Sequence, residues 1–300
     1  MDLSATSSPV AISAPAPIEA EIPEFEIRPS RGWVAIDFRE LFHYRDLLYF
    51  LIWRDVKVRY KQTVLGFAWA IVQPVVNMVI FTTIFGGFAK FSDQVPQELR
   101  DRHVPYSLFV YAGLLPWMLF STGLSNGGQS LANQQNLLTK VYFPRLFVPT
   151  AVIGAALVDT LISFGVFFIL MFCSGMIPPW TTIFMPVLLL LTVLATMGAA
   201  FTLSALTVTY RDFRFVLGFM VQCWMFVSPV AYPLNPNAHW KVWLLRLNPM
   251  YGIINGYRSS LLGEHWDFAG LAIAIVEVAA ILFFGLYYFK KTERRFADIA

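Results

Sequence analysis

Two carboxylates stand in stretches otherwise free of charge: Asp159 within the apolar run 146–175, and Glu277 within 268–289. An acid surrounded by hydrocarbon is costly unless it is paired or protonated, so by default it marks a proton or ion path. Neither run contains a Lys, Arg or His that could pair with its acid. One chemistry is a proton relay through both acids; the plainer one is a protonated acid bonded to a neighbouring hydroxyl or amide. Two isolated acids without a histidine favour the plainer one. Just before the first apolar run, Arg54, Lys57, Arg59 and Lys61 crowd one short segment. Such cations can hold a phosphate or the anionic headgroups of a leaflet.

A third set of groups lies inside the apolar runs. At helical spacing, Trp69, Gln73, Asn77, Ile80, Phe81, Ile84 and Phe88 fall along one stripe, and Gly218, Gln222, Met225, Phe226 and Pro229 form another. Amides in hydrocarbon need partners, so these stripes face other helices or a lumen. Aromatic stripes commonly serve packing; mixed with amides, they also suit sugar rings, which present apolar C–H faces and hydroxyl edges. The turn 133–145 places Leu137, Leu138, Tyr142 and Phe143 beside Lys140, Pro144 and Arg145. Apolar groups at a wet turn suggest a docking knob for a soluble partner, or packing against the basic segment. There is no GxxxxGK[ST] phosphate loop, and His43, His103, His239 and His265 are scattered. The residues encode neither nucleotide hydrolysis nor a metal site, and any ATP is handled by another chain.

The elements that must position these groups are membrane helices. Of 300 residues, 57% are hydrophobic and 14% charged, against about 25% charged in a soluble domain. The net charge of +3 is too small to argue for nucleic acid. Six runs, about 66–89, 104–131, 146–175, 181–210, 215–232 and 268–289, read as transmembrane helices, each needing about 20 apolar residues. The second run turns polar and Gly-rich over 121–135, which blurs its end. Pro178-Pro179 forces a tight reversal between spans three and four. Cys173 and Cys223 read as buried structural thiols, since their separation permits no CxxC motif.

With six spans both termini share one side, and that side carries 16 of the 22 Lys and Arg residues. Basic loops stay in the cytoplasm, so both termini are expected there. Residues 1–30, rich in Ser, Ala and Pro and then acidic, lack the basic start and apolar core of a signal peptide and read as a disordered arm. Residues 31–61 form a cytoplasmic segment whose later part, 44–61, reads as an amphipathic interfacial helix. Its apolar face holds Leu47, Leu48, Leu51, Ile52 and Val58, with Asp55 misplaced among them and Tyr49, Phe50 and Trp53 outside. A partner protein or lipid headgroups explain this pattern equally well. Residues 62–300 hold the six spans and a short tail. Between spans five and six, Asn248-Pro249 starts a short helix that Gly263 ends. Because Arg246, Asn255 and Arg258 interrupt it, this segment is expected to be an outward-side re-entrant or interfacial helix.

From Leu47 to Arg295 the chain resembles the permease subunits of polysaccharide ABC exporters, the ABC-2 group that moves O-antigen, capsule or teichoic acid chains. The likeness rests on residues 51–61 (LIWRDVKVRYK) with Gly66 and Trp69, on 140–145 (KVYFPR), on Tyr210-Arg211-Asp212, on Ser228-Pro229-Val230, and on Asn248-Pro249 with Tyr257-Arg258. The resemblance implies an all-α polytopic homodimer of six-span subunits in the bacterial inner membrane. Spans one and five would line a lumen between the subunits. Two copies of a separate ATPase, carrying Mg-ATP, would dock below, with no cofactor on this chain. Residues 44–61 would be the interface helix, and Leu137, Leu138, Lys140, Tyr142, Phe143, Pro144 and Arg145 the ATPase-coupling segment. Asn248, Pro249, Tyr257 and Arg258 would stand at the outer exit. The implied substrate is an O-antigen-like polysaccharide on undecaprenyl diphosphate, whose headgroup Arg54, Lys57, Arg59 and Lys61 would meet. Another ABC-2 permease, for a drug or smaller lipid, fits the same residues. A proton-coupled transporter would give Asp159 and Glu277 a role. A membrane glycosyl or acyl transferase lacks the clustered His and acids it would need.

Overall fold

The computed structural model describes residues 42–61, 66–134, 143–210, 212–233 and 239–293. The chain divides into Met1–Val34 and Ala35–Ala300, and all described residues belong to the second unit. The expected arm, residues 1–30, lies outside them. Every regular element among the described residues is helical, and the chain is an all-helical polytopic membrane protein. In order these are α1 (Arg45–Lys61), α2 (Ala68–Phe81), α3 (Gln97–Asp101), α4 (Tyr106–Asn133), α5 (Phe147–Cys173), α6 (Met185–Thr209), α7 (Phe213–Val227), α8 (His239–Arg246), α9 (Pro249–Leu262) and α10 (Phe268–Glu293). Helix α2 continues over Thr82–Phe88 in wider π-type turns, and a 3-10 turn at Trp180–Phe184 leads into α6.

Five helices are long and apolar enough to cross a bilayer: Ala68–Phe88, Tyr106–Asn133, Phe147–Cys173, Trp180–Thr209 and Phe268–Glu293. They coincide with spans one to four and six to within a few residues. The expected fifth span is shorter: α7 has 15 residues, or about 22 Å of helix against a hydrocarbon core of about 30 Å. Beyond it the chain runs through residues 228–233 without regular structure, yet Ser228, Val230 and Ala231 are buried. Non-helical backbone buried away from water survives only where protein satisfies its polar groups.

Helix α4 is the hub of the bundle, packed on α5 and α6, while α6 packs on α10 and α9 is wedged among α4, α6 and α10. The polar stretch 121–135, which obscures the end of span two in the sequence, remains helical to Asn133. Its glycines make room for neighbours: a methyl at Gly123 would overlap Thr196 of α6, and one at Gly128 would overlap Leu217 of α7. Between α6 and α10 the backbones touch, because a side chain at Gly285 would overlap the Gly198 carbonyl. Close backbone approach of this kind gives membrane helices the van der Waals contact that water-driven burial cannot supply in lipid.

Helix α9 departs from one of its two expected forms, the interfacial helix lying on a surface. Its Asn248 cap accepts from the Met250 N–H, Pro249 occupies the first turn, and Gly263 closes it at φ +75°, a left-handed conformation that favours glycine. These signals are as read, but the helix is buried on all sides save at Asn255. Of the polar residues that punctuate this segment, Arg246 and Arg258 serve internal bonds and do not mark a lipid-facing surface. Helix α1 lies on α5 with Leu51 buried and Leu47, Leu48 and Ile52 half-buried, whereas Val58, assigned to the same face, is exposed. Tyr49, Phe50 and Trp53 are exposed, as their position outside that face requires. Cys173 and Cys223 are exposed, and the expectation of buried thiols fails because each sits on the outward side of its helix.

Candidate functional site

Polar groups gather at the two ends of the bundle. At the α1 end, Arg54 donates to Asp55 Oδ1 through Nε and Nη2 at 3.0 and 2.8 Å, and to Gln134 Oε1 at 3.1 Å. This explains Asp55 on an otherwise apolar face: it neutralises its neighbour. One turn on, Arg59 donates to Asp159 Oδ2 and the Tyr60 hydroxyl donates to Asp159 Oδ1. The expectation that Asp159 has no basic partner is therefore overturned. Its partner comes from 100 residues earlier in the chain, because α1 packs along α5 and delivers a side chain to membrane depth. The pair is about a third exposed, so solvent limits its stabilisation to about 1 kcal/mol or less.

Two cavities open beside this network. One, of about 570 Å³, is lined by Arg54, Asp55, Arg59, Asn126 and Gln134. The other, of about 340 Å³, is lined by Arg59, Asn126, Asp159, Trp69 and Gln73. Arg59 and Asn126 belong to both, so the basic helix and the start of the amide-aromatic stripe meet in one polar groove. Within the predicted basic set, Arg54 and Arg59 have acidic partners, while Lys57 and Lys61 are exposed.

The two stripes stand on the flanks. Trp69, Gln73, Ile80, Ile84 and Phe88 are exposed on α2 and its π-wound extension; Asn77 and Phe81 are half-buried, and Phe81 stacks on Phe85 at 5.6 Å. On α7, Gly218, Gln222 and Phe226 are exposed, Met225 is half-buried and Pro229 is buried. Only Pro74 and Met78 of α2 and Leu217 of α7 are buried. Both helices lean on α4; Gln73, though exposed, lines the groove with Asn126 and Asp159, Asn77 is half-buried and Gln222 is exposed.

Of the coupling segment, Leu137, Leu138, Lys140 and Tyr142 lie outside the described residues. Phe143 and Pro144 are buried, not displayed as a knob: Phe143 joins Leu51 of α1, Leu131, Phe147, Phe201 and Phe289 in one apolar cluster. That is the packing alternative. Arg145 donates from Nη1 to the Glu293 carbonyl at 2.7 Å, tying this turn to the end of α10. Glu277 is half-buried, and its Oε2 has no partner among the described residues.

At the opposite end, motifs far apart in sequence form one knot around residues 228–233. Asn248 donates from Nδ2 to Ser228 Oγ at 2.9 Å and accepts from Trp224 Nε1 at 2.9 Å. Arg258, 1% exposed, donates from Nη2 to the Val230 carbonyl at 2.8 Å and lies 3.7 Å over the Phe109 ring. The Tyr106 hydroxyl donates to the Ala231 carbonyl at 2.5 Å, and the buried Tyr257 hydroxyl meets Thr192 Oγ1 at 3.1 Å. Burial pushes the Arg258 guanidinium down to about 10, still charged at neutral pH, and nearby Glu264 opposes that drop. Asn248, Pro249, Tyr257 and Arg258 are legible in the sequence, but not that Asn248 and Arg258 share one task, which is to satisfy an unwound stretch.

Sequence reasoning missed Asp267. Burial pushes its carboxyl up, but the Gly270 N–H, the Tyr251 hydroxyl and a bidentate Arg246 together hold it below the usual carboxylate range. Its position one residue before α10, in the place of a helix cap, was the available signal.

Residues 46–262 match the family described as ABC-2 type transporter. The chain is similar to the "O-antigen export system permease protein RfbA" of Myxococcus xanthus, 29% identical over 263 residues, covering 87% of this chain and 97% of that protein. A protein of the same name from Klebsiella pneumoniae is 27% identical over 257 residues, covering 85% and 95%. The "Polysialic acid transport protein KpsM" of Escherichia coli is 24% identical over 250 residues, covering 81% and 92%.

Proposed function

The chain belongs to the ABC-2 type transporter family, and from that premise we propose that it is the membrane subunit of an ATP-driven exporter of a lipid-linked polysaccharide. Relatives named for O-antigen export and polysialic acid transport, matched over nearly their whole length, support the substrate class. The observation that carries the reading is the groove at the α1 end, where Arg59 and Asn126 join the basic helix to Trp69 and Gln73.

An anionic lipid headgroup entering from the leaflet meets Lys57 and Lys61, which are exposed, before Arg54 and Arg59, which must exchange Asp55 and Asp159 for phosphate. Trp69 and Gln73 then begin a stripe of aromatic faces and amides along which sugar rings pass. The stripes on α2 and α7 are exposed within one subunit, which favours a second copy completing the lumen. In this homodimer two ATPase subunits supply Mg-ATP hydrolysis from the α1 end, and that end is cytoplasmic in the bacterial inner membrane, with both termini. The turn holding Leu137, Leu138, Lys140 and Tyr142, with Phe143 to Arg145 anchored beneath it, passes their movement to α1 and α10. An undecaprenyl diphosphate carrier fits the four cations. The pairing of Asp159 with Arg59 removes one of the two acids a proton-coupled mechanism would need.

Co-purification of the chain in nanodiscs tests this. A separate ATPase is expected to accompany it, and a lipid-linked glycan is expected to change the hydrolysis rate. A chain that transports without any ATPase, or a complex that answers a small lipophilic drug and not the glycan, overturns the reading.

A further inference from the structure

Between α8, α9 and the 263–267 turn lies a cavity of about 370 Å³ that none of the roles above uses. Binding cavities for small ligands run from about 300 to 1,000 Å³, so this one admits one or two sugar rings and not a passing polymer. Two indole rings line it. Trp266 is fixed edge-on by Phe184 at 5.8 Å and stacked on Phe268 at 6.0 Å. Trp243 lies beneath the Arg246 guanidinium at 5.2 Å. Arg246 is itself held by Asp267 and Asp267 by Tyr251, so this wall is rigid and its charges are mutually satisfied.

Two atoms are not satisfied. Among the described residues, Arg258 Nε and Glu264 Oε2 are buried without a hydrogen-bond partner, and both side chains line the cavity. A buried donor or acceptor left unmade is expensive, and here one of each belongs to the wall of a single cavity. Burial pushes the Glu264 carboxyl up despite the opposing charge of Arg258, and Glu98 adds to the rise, so a donor reaching Oε2 relieves a real cost. Hydroxyl groups suit both deficits, since a hydroxyl can accept from a donor such as Nε and donate to an acceptor such as Oε2. A free anion would serve Arg258 but face Glu264 and Asp267; a cation would reverse the conflict. The matched ligand is uncharged, bears hydroxyls and has an apolar face for the indoles.

We infer that this cavity is a binding subsite for a neutral pyranose unit, with Trp243 and Trp266 taking the ring face and Arg258, Glu264 and Asn255 reading its hydroxyls. The inference rests on the polysaccharide reading, under which this end is the outer mouth. A subsite there retains an emerging sugar while the next one advances.

The test uses the full chain in nanodiscs and saturation-transfer NMR with methyl glycosides of glucose, galactose, mannose and N-acetylglucosamine, alongside glucuronic acid and glucosamine. Saturation of ring protons is expected for at least one neutral glycoside and not for the charged sugars. Trp266→Ala and Glu264→Gln are expected to weaken it at least fivefold, Asn255→Ala at least twofold, and Ile177→Ala, exposed and outside the cavity, not at all. Should Glu264→Gln fail to elute as a single species, Trp266→Phe and Asn255→Ala decide the matter. No transfer to any neutral glycoside, stronger transfer to a charged sugar, or unchanged transfer in the Trp266 and Asn255 variants overturns the subsite. If that happens while the ATPase complex still responds to lipid-linked glycan, the subsite alone falls; a chain without an ATPase partner removes the export reading beneath it.

Discussion

Helices α4 and α2 are both apolar and, with its π-wound extension, α2 is also long enough to cross a bilayer, yet they live in different surroundings. Nearly every side chain in the first half of α4 is buried, from Leu108 to Trp117, and its second half is notched by glycines. On α2 only Pro74 and Met78 are buried, and Gln73 is exposed. Hydropathy measures what a helix can tolerate, not what it touches. The difference lies in the minority residues: small ones on α4 admit close neighbours, whereas amides and aromatics on α2 stand largely outside the core of this subunit. The bundle therefore divides into a tightly bonded centre, α4 with α5, α6, α9 and α10, and flanks, α1, α2 and α7, that carry the groove and the stripes.

That division is open to attack. Arg258→Leu strikes the centre hardest: the Val230 carbonyl loses its donor, about 1–3 kcal/mol, and the desolvated contact with Phe109 loses about 2 more. The variant is expected to lose about 3–5 kcal/mol and to accumulate poorly; a monodisperse protein with an unchanged melting temperature would break the comparison. Gly285→Leu forces α10 from α6 and is expected to cost about 1–3 kcal/mol by overpacking, read in the same melts. Acid loosens the α8–α10 clamp. Because the Asp267 carboxyl is held below its ordinary value of 3.8, its contribution is complete above that pH and is lost as the pH falls through the still lower folded value. The protection factor of the Gly270 amide, taken relative to its intrinsic exchange at each pH, is expected to fall only in that acid window and to be insensitive to pH in Asp267→Asn. Where the flank helix α1 meets α5 of the centre, Asp159→Asn should cost about 1 kcal/mol or less, the pair being partly exposed, yet export is expected to fall at least tenfold; loss of both together would make Asp159 a packing residue of the centre instead. Val79→Ala, at an exposed position of α2, should shift monomer stability by no more than about 0.5 kcal/mol. A larger shift in the assembled complex alone would sharpen the view that a second copy covers this face.

The spans were legible because each is a long apolar run with at most one charged residue, and the caps of α9 were legible because Asn, Pro and Gly each do one local thing at a helix end. What escaped was contact across the chain. No local pattern reveals that Arg59 reaches Asp159, that Arg258 serves Val230, or that Phe143 turns inward to meet Leu51. The same blindness explains the errors. Helix α9 reads as interfacial because its apolar sequence is broken by Arg and Asn, and only the fold shows those groups employed internally. Val58 and the two cysteines were placed by average preference, which a lipid-facing surface reverses, since lipid accepts apolar side chains as readily as a core does. The candidate groove was half-visible: its cations and its stripe were both found, but their junction at Asn126 was not.

The unwound stretch 228–233 makes α7 a rod with a fixed bearing. Its far end is tied through Ser228 and Val230 to Asn248 and Arg258, while near the other end Leu217 rests in the notch left by Gly128. A stiff rod about 22 Å long that turns by about 10° about such a bearing carries its Phe213 tip sideways by about 4 Å, and the bearing itself need not deform. A push beside Arg214 is therefore felt most at the tip, less at Gln222 and least at Phe226 next to the bearing, with no helix having to bend or melt.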